Sequence, residues 1–423
     1  MKVYFVGIKG TGMSALSLIY RRLGFKVVGS DVKDTFFTEK SLKENKIKYY
    51  QNFDPKNIVR EKPDLVITSV AWQNNVEVEK AKEMKIKVLT YPQGVAKIFN
   101  SCFGIAVCGT HGKSTTTAFL GKIFELAKLP TIALVGAPVK DWQSPVFFNL
   151  KDKKLNSKVF FILEADEYRQ AFLNYYPKII LVTNIDYDHP DFFKNKKIYR
   201  QTFKKFFLNL KSPSILVSFS RFKLPAKIKQ INVKFNPQLR FDFYAPGKHW
   251  QRNLTLILAL TRILKLENYF YQALKAFKGV SRRFDILSSR PLLIDDYAHH
   301  PHEILSFYRS VKEKFPQNKF YFIFQPHTYS RTQKLFKEFK KVFQKIENLI
   351  IFKTFSSARE GEDQKIENKL KKLAEKLGIF YFEKQEKLIN FLLPKIKKGY
   401  GICTCGAGNV YEVLIKIKKL IQK

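Results

Sequence analysis

The sequence predicts an α/β protein made of three consecutive α/β domains. Apolar strand-like runs alternate with helical patterns along the 423 residues, as in parallel βαβ units. That alternation restarts near Asn100 and again near Phe284–Asp285, giving domains at 1–100, 101–284 and 285–423. A soft prior of roughly 150 residues per domain also allows two to three domains.

In the first domain Val3–Gly7 reads as a strand. Gly12–Leu23 reads as a helix, with Met13, Leu16, Ile19, Tyr20 and Leu23 on one face. Lys26–Ser30, Leu65–Ser69 and Lys87–Thr90 are further strands. The second domain opens with Phe103–Cys108, a glycine loop and a helix at Ser114–Ala127. Strands Val159–Leu163, Ile179–Thr183 and Ile215–Phe219 follow, then helices Asn253–Leu264 and Tyr269–Phe277. The third domain carries strands Leu292–Ile294, Lys319–Phe324, Leu349–Phe352 and Gly401–Thr404, with helices between.

Composition narrows the class. An apolar share of 45% excludes a disordered chain. Lys plus Arg number 76 against 36 Asp plus Glu, a formal charge of +40. These cations are scattered, with no basic tail and no aromatic-interleaved ribbon. The excess therefore reads as lysine-rich composition and not as a nucleic-acid surface. Cys102, Cys108, Cys403 and Cys405 are too few for a disulfide scaffold and lack zinc-ligand spacing. The chain starts on a strand, not a signal peptide, and no apolar run approaches the ~20 residues of a spanning helix. A soluble cytoplasmic protein is expected, without nucleic acid or membrane insertion.

The sharpest motif is Cys108-Gly109-Thr110-His111-Gly112-Lys113-Ser114-Thr115-Thr116-Thr117, between a strand and a helix. Glycines let the backbone approach phosphate oxygens, and the helix N-terminus favours an anion. Lys113 would reach the β/γ-phosphates, and the Ser114 or Thr115 hydroxyl would hold Mg²⁺. The loop is a shorter G-x-x-G-K-S-T-T. The earlier Gly7-Ile8-Lys9-Gly10-Thr11-Gly12 also joins a strand to a helix, as G-x-x-G-x-G. Asp31 ends the next strand, where an acid often meets a ribose hydroxyl. This loop reads as a diphosphate or nucleotide cradle, or as a tight structural turn.

Glu164-Ala165-Asp166-Glu167 follows a strand and offers a Mg²⁺ ligand, or else a solvated acidic turn. Asn184-Ile185-Asp186-Tyr187-Asp188-His189 follows another strand, on the same sheet edge if that sheet is parallel. His189 reads as a second metal ligand, a phosphate contact or a cap. All seven histidines fall in post-strand segments or in Pro246-Gly247-Lys248-His249. Open α/β sheets bind ligands at such strand ends.

Taken together, Gly7–Met13, Gly109–Thr117, Glu164–Tyr168, Thr183–His189, Pro246–Asn253, Arg282–Phe284, Asp295–Pro301, Phe324–Thr332 and Gly406–Asn409 resemble the Mur ligase family in order and spacing. The resemblance implies a Rossmann-like N-terminal domain for a UDP-sugar, a P-loop ATPase-like central domain for ATP, and a Rossmann-like C-terminal domain for an amino acid. It implies ATP-dependent amide formation through an acyl phosphate, with Mg²⁺. The start G-x-x-G-x-G-M-S, Asp-Asp-Tyr-Ala-His-His-Pro and Phe-Gln-Pro-His-Thr-x-x-Arg-Thr imply UDP-N-acetylmuramate and L-alanine as substrates. The chain departs from the family at Lys9, often Gly; at Trp250, often Asn; and at Ser114, commonly Thr. Lys204 and Lys205 lie where some relatives carry a carbamylated lysine, and none is assigned here.

Carried over residue by residue, the resemblance assigns catalysis to Lys113, Glu164 and His189. Gly109, Thr110, His111, Gly112, Lys113, Ser114, Thr115, His249, Asn253 and Arg283 would bind ATP. Ser114, Glu164 and His189 would hold metal. Gly7, Gly10, Thr11, Gly12, Asp31 and Ser69 would bind the UDP-sugar, and Tyr297, His299, His327 and Arg331 the amino acid. A monomer or weak dimer is expected. The alternatives are a recycling ligase attaching a murein peptide to the same sugar nucleotide, a nucleic-acid-stimulated P-loop ATPase, and a catalytically lapsed scaffold.

Overall fold

The computed structural model describes residues 1–34, 36, 38–189, 192–238, 240–356 and 361–422. Strands β1 (Lys2–Val6), β2 (Lys26–Ser30), β3 (Lys48–Tyr50), β4 (Leu65–Thr68) and β5 (Lys87–Thr90) form a parallel sheet in the order β3-β2-β1-β4-β5. Val3, Tyr4, Phe5 and Val6 are fully buried, so β1 is apolar after Lys2, as a parallel strand covered on both faces must be. β1 is central, with Val6 paired to Ser30 on one side and Thr68 on the other. The Gly7–Gly12 loop therefore leaves the middle of the sheet's C-terminal edge, with Asp31 and Ser69 flanking it.

The second sheet contains β6 (Phe103–Cys108), β7 (Thr131–Val139), β8 (Ser144–Asn149), β9 (Phe160–Glu164), β10 (Ile179–Val182), β11 (Ile215–Ser218) and β12 (Lys229–Asn232). Its order is β12-β11-β10-β6-β9-β7-β8, parallel except for the β7–β8 hairpin. β6 lies between β9 and β10. The third sheet contains β13 (Asp285–Ser289), β14 (Leu292–Asp296), β15 (Phe320–Phe324), β16 (Leu349–Phe352), β17 (Phe380–Phe382) and β18 (Gly401–Cys405). Its order is β13-β14-β18-β15-β16-β17, with β13 antiparallel. The three-domain α/β class read from the sequence holds.

The strands absent from the sequence reading are mostly edges. β3 (KYY), β12 (KQIN) and β17 (FYF) are only three or four residues long. β14 runs two residues further than expected, because Asp295 and Asp296 are strand residues and not a following turn. Asp295 can lie buried within a strand because Arg282 Nε and Thr404 Oγ1 donate to its carboxylate at 2.9 and 2.6 Å. His249 likewise lies in the first turn of the helix Lys248–Ile263, not ahead of it.

The chain divides into two compact units. One comprises Met1–Asp186, Lys197–Asp242 and Arg252–Lys278, and contains the first two sheets. The other comprises Tyr187–Lys196, Phe243–Gln251 and Gly279–Lys423, and contains the third. Among the described residues no helix is long and apolar enough to cross a membrane. All four cysteines are free and buried.

Candidate active site

The strand order of the second sheet builds the site in the first unit. Because β9, β6 and β10 are neighbours and parallel, the segments after them emerge side by side. The loop after β6 has Gly109 at φ +137° and Gly112 at φ +79°, conformations that disfavour any side chain. A Cβ on Gly109 would collide with Thr183 Oγ1 and the Asn184 backbone, and one on Gly112 with Asn253 Nδ2. The helix Lys113–Leu126 starts from Gly112, so its unpaired N–H groups line the loop.

The loop is held from β10. Asn184 Oδ1 accepts from the His111 N–H at 3.0 Å, and Asn184 Nδ2 donates to the His111 carbonyl at 2.9 Å. Thr183 Oγ1 also donates to that carbonyl, at 2.7 Å. Thr110 Oγ1 donates to the Asp186 carbonyl at 2.6 Å. The sequence motif contained Asn184 but gave no sign that its amide is the brace.

Lys113 Nζ donates to the Gly109 carbonyl at 2.6 Å and to Glu167 Oε2 at 2.9 Å. Glu167 is fully buried and also accepts from the Tyr199 hydroxyl at 3.0 Å. Burial opposes the ammonium, but Glu167 and Asp166 outweigh it and hold the Lys113 pKa above the ordinary lysine range. Glu167 and Tyr199 are site residues that sequence reasoning missed. Glu167 stood in the quoted acidic run, where nothing local separates it from Glu164; Tyr199 carried no signal.

Glu164, the last residue of β9, accepts from Ser114 Oγ at 2.9 Å and from the Gly136 N–H at 2.6 Å. A hydroxyl and a carboxylate side by side at a loop's end are hard oxygen donors, the set that suits Mg²⁺. The Thr115 hydroxyl is buried with no partner among the described residues. Asn253 packs against the loop at Gly112.

At the first sheet, Gly7 has φ +81°, and both the Gly7 and Ile8 N–H groups donate to the Ser30 carbonyl, at 2.9 and 3.1 Å. Ser69 Oγ and Trp72 crowd the face of Gly7 where a Cβ would stand. Gly12, within the helix Thr11–Arg22, faces the Tyr91 ring in the same way. Asp31, expected at a ribose, accepts from Lys9 N at 2.6 Å and Val32 N at 2.8 Å, one bond to each carboxylate oxygen. Those two bonds brace this loop.

In the second unit, β14, β15 and β18 are neighbours, so the segments after β14 and β15 share an edge. Tyr297 and His299 meet edge to face with ring centres 5.5 Å apart, and the His327 ring lies 6.3 Å from His299. Burial drives the His299 pKa down to about 3, so the imidazole is neutral. Thr328, between His327 and the helix Tyr329–Lys334, has φ +67° and ψ +137°, a costly conformation for a β-branched residue. It is held by its N–H donating to the Phe355 carbonyl at 3.1 Å.

Arg331 Nη2 lies 3.7 Å from Asp188 Oδ1. Burial raises the Asp188 pKa, but His189 and Arg331 outweigh it and hold the carboxyl well below the usual range. His189 adjoins Asp188 with its own backbone at φ +53°. Arg283 stacks on the Tyr297 ring at 4.8 Å. His249 packs on Trp250, ring centres 4.7 Å apart.

A phosphate loop on one parallel α/β sheet, with a hydroxyl–carboxylate pair beside it, defines a nucleotide-binding protein of the phosphate-loop class. Three family profiles then match in order: Mur ligase family, catalytic domain, at residues 2–101; Mur ligase middle domain at 107–273; and Mur ligase, glutamate ligase domain, at 282–408. The chain belongs to the Mur ligase family. It is 32% identical to the UDP-N-acetylmuramate–L-alanine ligase of Desulfitobacterium hafniense (strain Y51), covering 98% of each chain. Its fold is similar to the UDP-N-acetylmuramate-alanine ligase of Thermotoga maritima, TM-score 0.78 at 23% identity, covering 100% of this chain and 99% of that one. It is also similar to the MurF ligase of Thermotoga maritima in complex with ADP, TM-score 0.59 at 17% identity, covering 94% and 95%.

Proposed function

We propose that this chain is an ATP-dependent ligase that joins L-alanine to the lactyl carboxylate of UDP-N-acetylmuramate, in cytoplasmic synthesis of the peptidoglycan precursor. The observation that carries the ATP-dependent chemistry is the juxtaposition of Lys113, Ser114, Glu164 and Glu167 at one sheet edge. The full-length likeness to alanine ligases supports the choice of substrates.

The lactyl carboxylate attacks the γ-phosphorus, ADP leaves, and the alanine amine displaces phosphate from the acyl phosphate. An anion attacking an anion needs cations where charge grows. Lys113 supplies one, and the loop glycines admit phosphate oxygens to the backbone N–H groups. Ser114 and Glu164 would hold Mg²⁺, which supplies charge neutralisation and orientation when bound. His189 is the proposed ligand of a second ion, and Arg283 a proposed phosphate contact. His249 and Asn253 are the proposed adenine residues. Gly7, Gly10, Thr11, Gly12 and Ser69 form the proposed UDP-sugar cradle, with Asp31 fixing its backbone. Tyr297, His299, His327 and Arg331 are the proposed alanine residues, and boundaries at 100/101 and 284/285 separate the three proposed binding domains.

The test is phosphate release from ATP with UDP-N-acetylmuramate and each amino acid offered in turn. L-Alanine is expected to give the fastest turnover. Faster turnover with a murein tripeptide or D-glutamate overturns the substrate assignment and leaves the ligase chemistry. No acceptor-dependent phosphate release overturns both.

A further inference from the structure

Lys9 is a lysine in the middle of a glycine loop, yet its side chain is fully buried. Its ammonium donates to the Val32 and Asp34 carbonyls, each at 2.8 Å, and pairs with Glu39 Oε1 at 3.0 Å. The rings of Phe36 and Tyr49 lie 5.7 and 5.4 Å from it. Three partners for three N–H donors satisfy a lysine, which is what allows it to be buried at all. The backbone of the same residue is engaged on both sides: its N–H donates to Asp31 Oδ2 at 2.6 Å, and its carbonyl accepts from Thr38 Oγ1 at 2.5 Å.

Every one of these partners lies between residues 31 and 49, in the segment that leaves the neighbouring strand β2 and the strand after it. Its side chain has no exposed surface, so Lys9 is no phosphate contact. Its ammonium is turned away from solvent, whereas a phosphate-binding lysine must present its own. A tight turn alone would not need a buried cation. What the contacts achieve is to lock two adjacent post-strand segments in one relative position.

We propose that Lys9 is a positioning residue of the sugar-nucleotide site. It fixes the Gly7–Gly12 loop against residues 31–34, 38 and 39 before the ligand arrives, so that little ordering remains to oppose binding. The inference rests on the reading of that loop as the UDP-sugar cradle.

The test uses the full chain with Lys9→Met, which keeps the stem and removes the ammonium. Calorimetric titration with UDP-N-acetylmuramate, and separately with Mg·ADP, is run well below the melting temperature. The sugar-nucleotide Kd is expected to rise about tenfold and the Mg·ADP Kd to stay within about twofold, because only one cradle loses preorganisation. A lowered melting temperature with both Kd values unchanged means that Lys9 only stabilises the fold, and overturns the proposal. Should Lys9→Met fail to fold, Thr38→Val severs only the link to the Lys9 carbonyl. It is expected to weaken the sugar nucleotide about threefold and leave Mg·ADP unchanged; no change overturns the proposal. A wild-type protein that does not bind UDP-N-acetylmuramate sinks the parent reading instead.

Discussion

The first unit contains two glycine loops built on the same plan, and they place their lysines differently. Each loop leaves a central parallel strand, β1 or β6, and opens a helix. Each depends on a glycine at φ near +80°, Gly7 or Gly112. In the first, Lys9 sits between the glycines, and its side chain runs under the loop to Glu39 and two carbonyls. In the second, Lys113 is the first residue of the helix, so its side chain folds back over the loop. It keeps 13% side-chain exposure, where Lys9 keeps none. Both ammonium groups meet two carbonyls and a glutamate, and two sequence positions within the loop separate a fully buried cation from one that keeps some exposed surface.

The largest expected effect tests the second loop's cation. Lys113→Ala is expected to lower kcat at least about a hundredfold, a loss of roughly 2.7 kcal/mol of transition-state stabilisation. It also strands buried Glu167, so stability is expected to fall by on the order of 1–3 kcal/mol. Lys113→Ala with Glu167→Gln is then expected to regain much of the melting temperature and none of the rate. A single variant with more than a tenth of wild-type kcat breaks the contrast between the loops.

The glycines test whether the loops act separately. Gly112→Ala forces alanine to φ +79° against Asn253, and Gly7→Ala forces it to φ +81° against Trp72 and Ser69. A left-handed alanine costs about 1–2 kcal/mol, roughly a five- to thirtyfold effect on binding. Gly112→Ala is expected to raise KM for ATP and not for the sugar nucleotide, and Gly7→Ala the reverse. Equal effects on both substrates would show that the two loops form one ligand site.

The smallest expected effect sharpens the second loop's chemistry. Glu164→Gln keeps one acceptor for Ser114 Oγ but loses the charge. The Mg²⁺ concentration for half-maximal rate is expected to rise severalfold, read from initial rates across a magnesium series. An unchanged magnesium curve would leave Glu164 as a structural partner of Ser114 and Gly136.

Local pattern alone determined a good deal about this protein. Both glycine loops, strands β1, β6, β10 and β15, and the helices after the loops were legible. Burial on both faces makes such strands continuous apolar runs, and glycine marks where a positive φ is needed. The spacing of those segments was enough to place the chain in its family. The edges β3, β12 and β17 were not legible, because three or four residues held by one neighbour are too short to show a period.

Tertiary structure alone decided which charge meets which. Lys113 pairs with Glu167 and not with Glu164, which takes Ser114. Arg331 faces Asp188, from a segment 143 positions earlier in the chain. Asp31 turns onto its own loop's amides, and Lys9 is buried. Such pairings follow from strand order, which brings distant strand ends together, and from desolvation, which makes each buried charge take the partner it can reach. A residue's type and neighbours in sequence set the chemistry it can offer; the sheet set where that chemistry points.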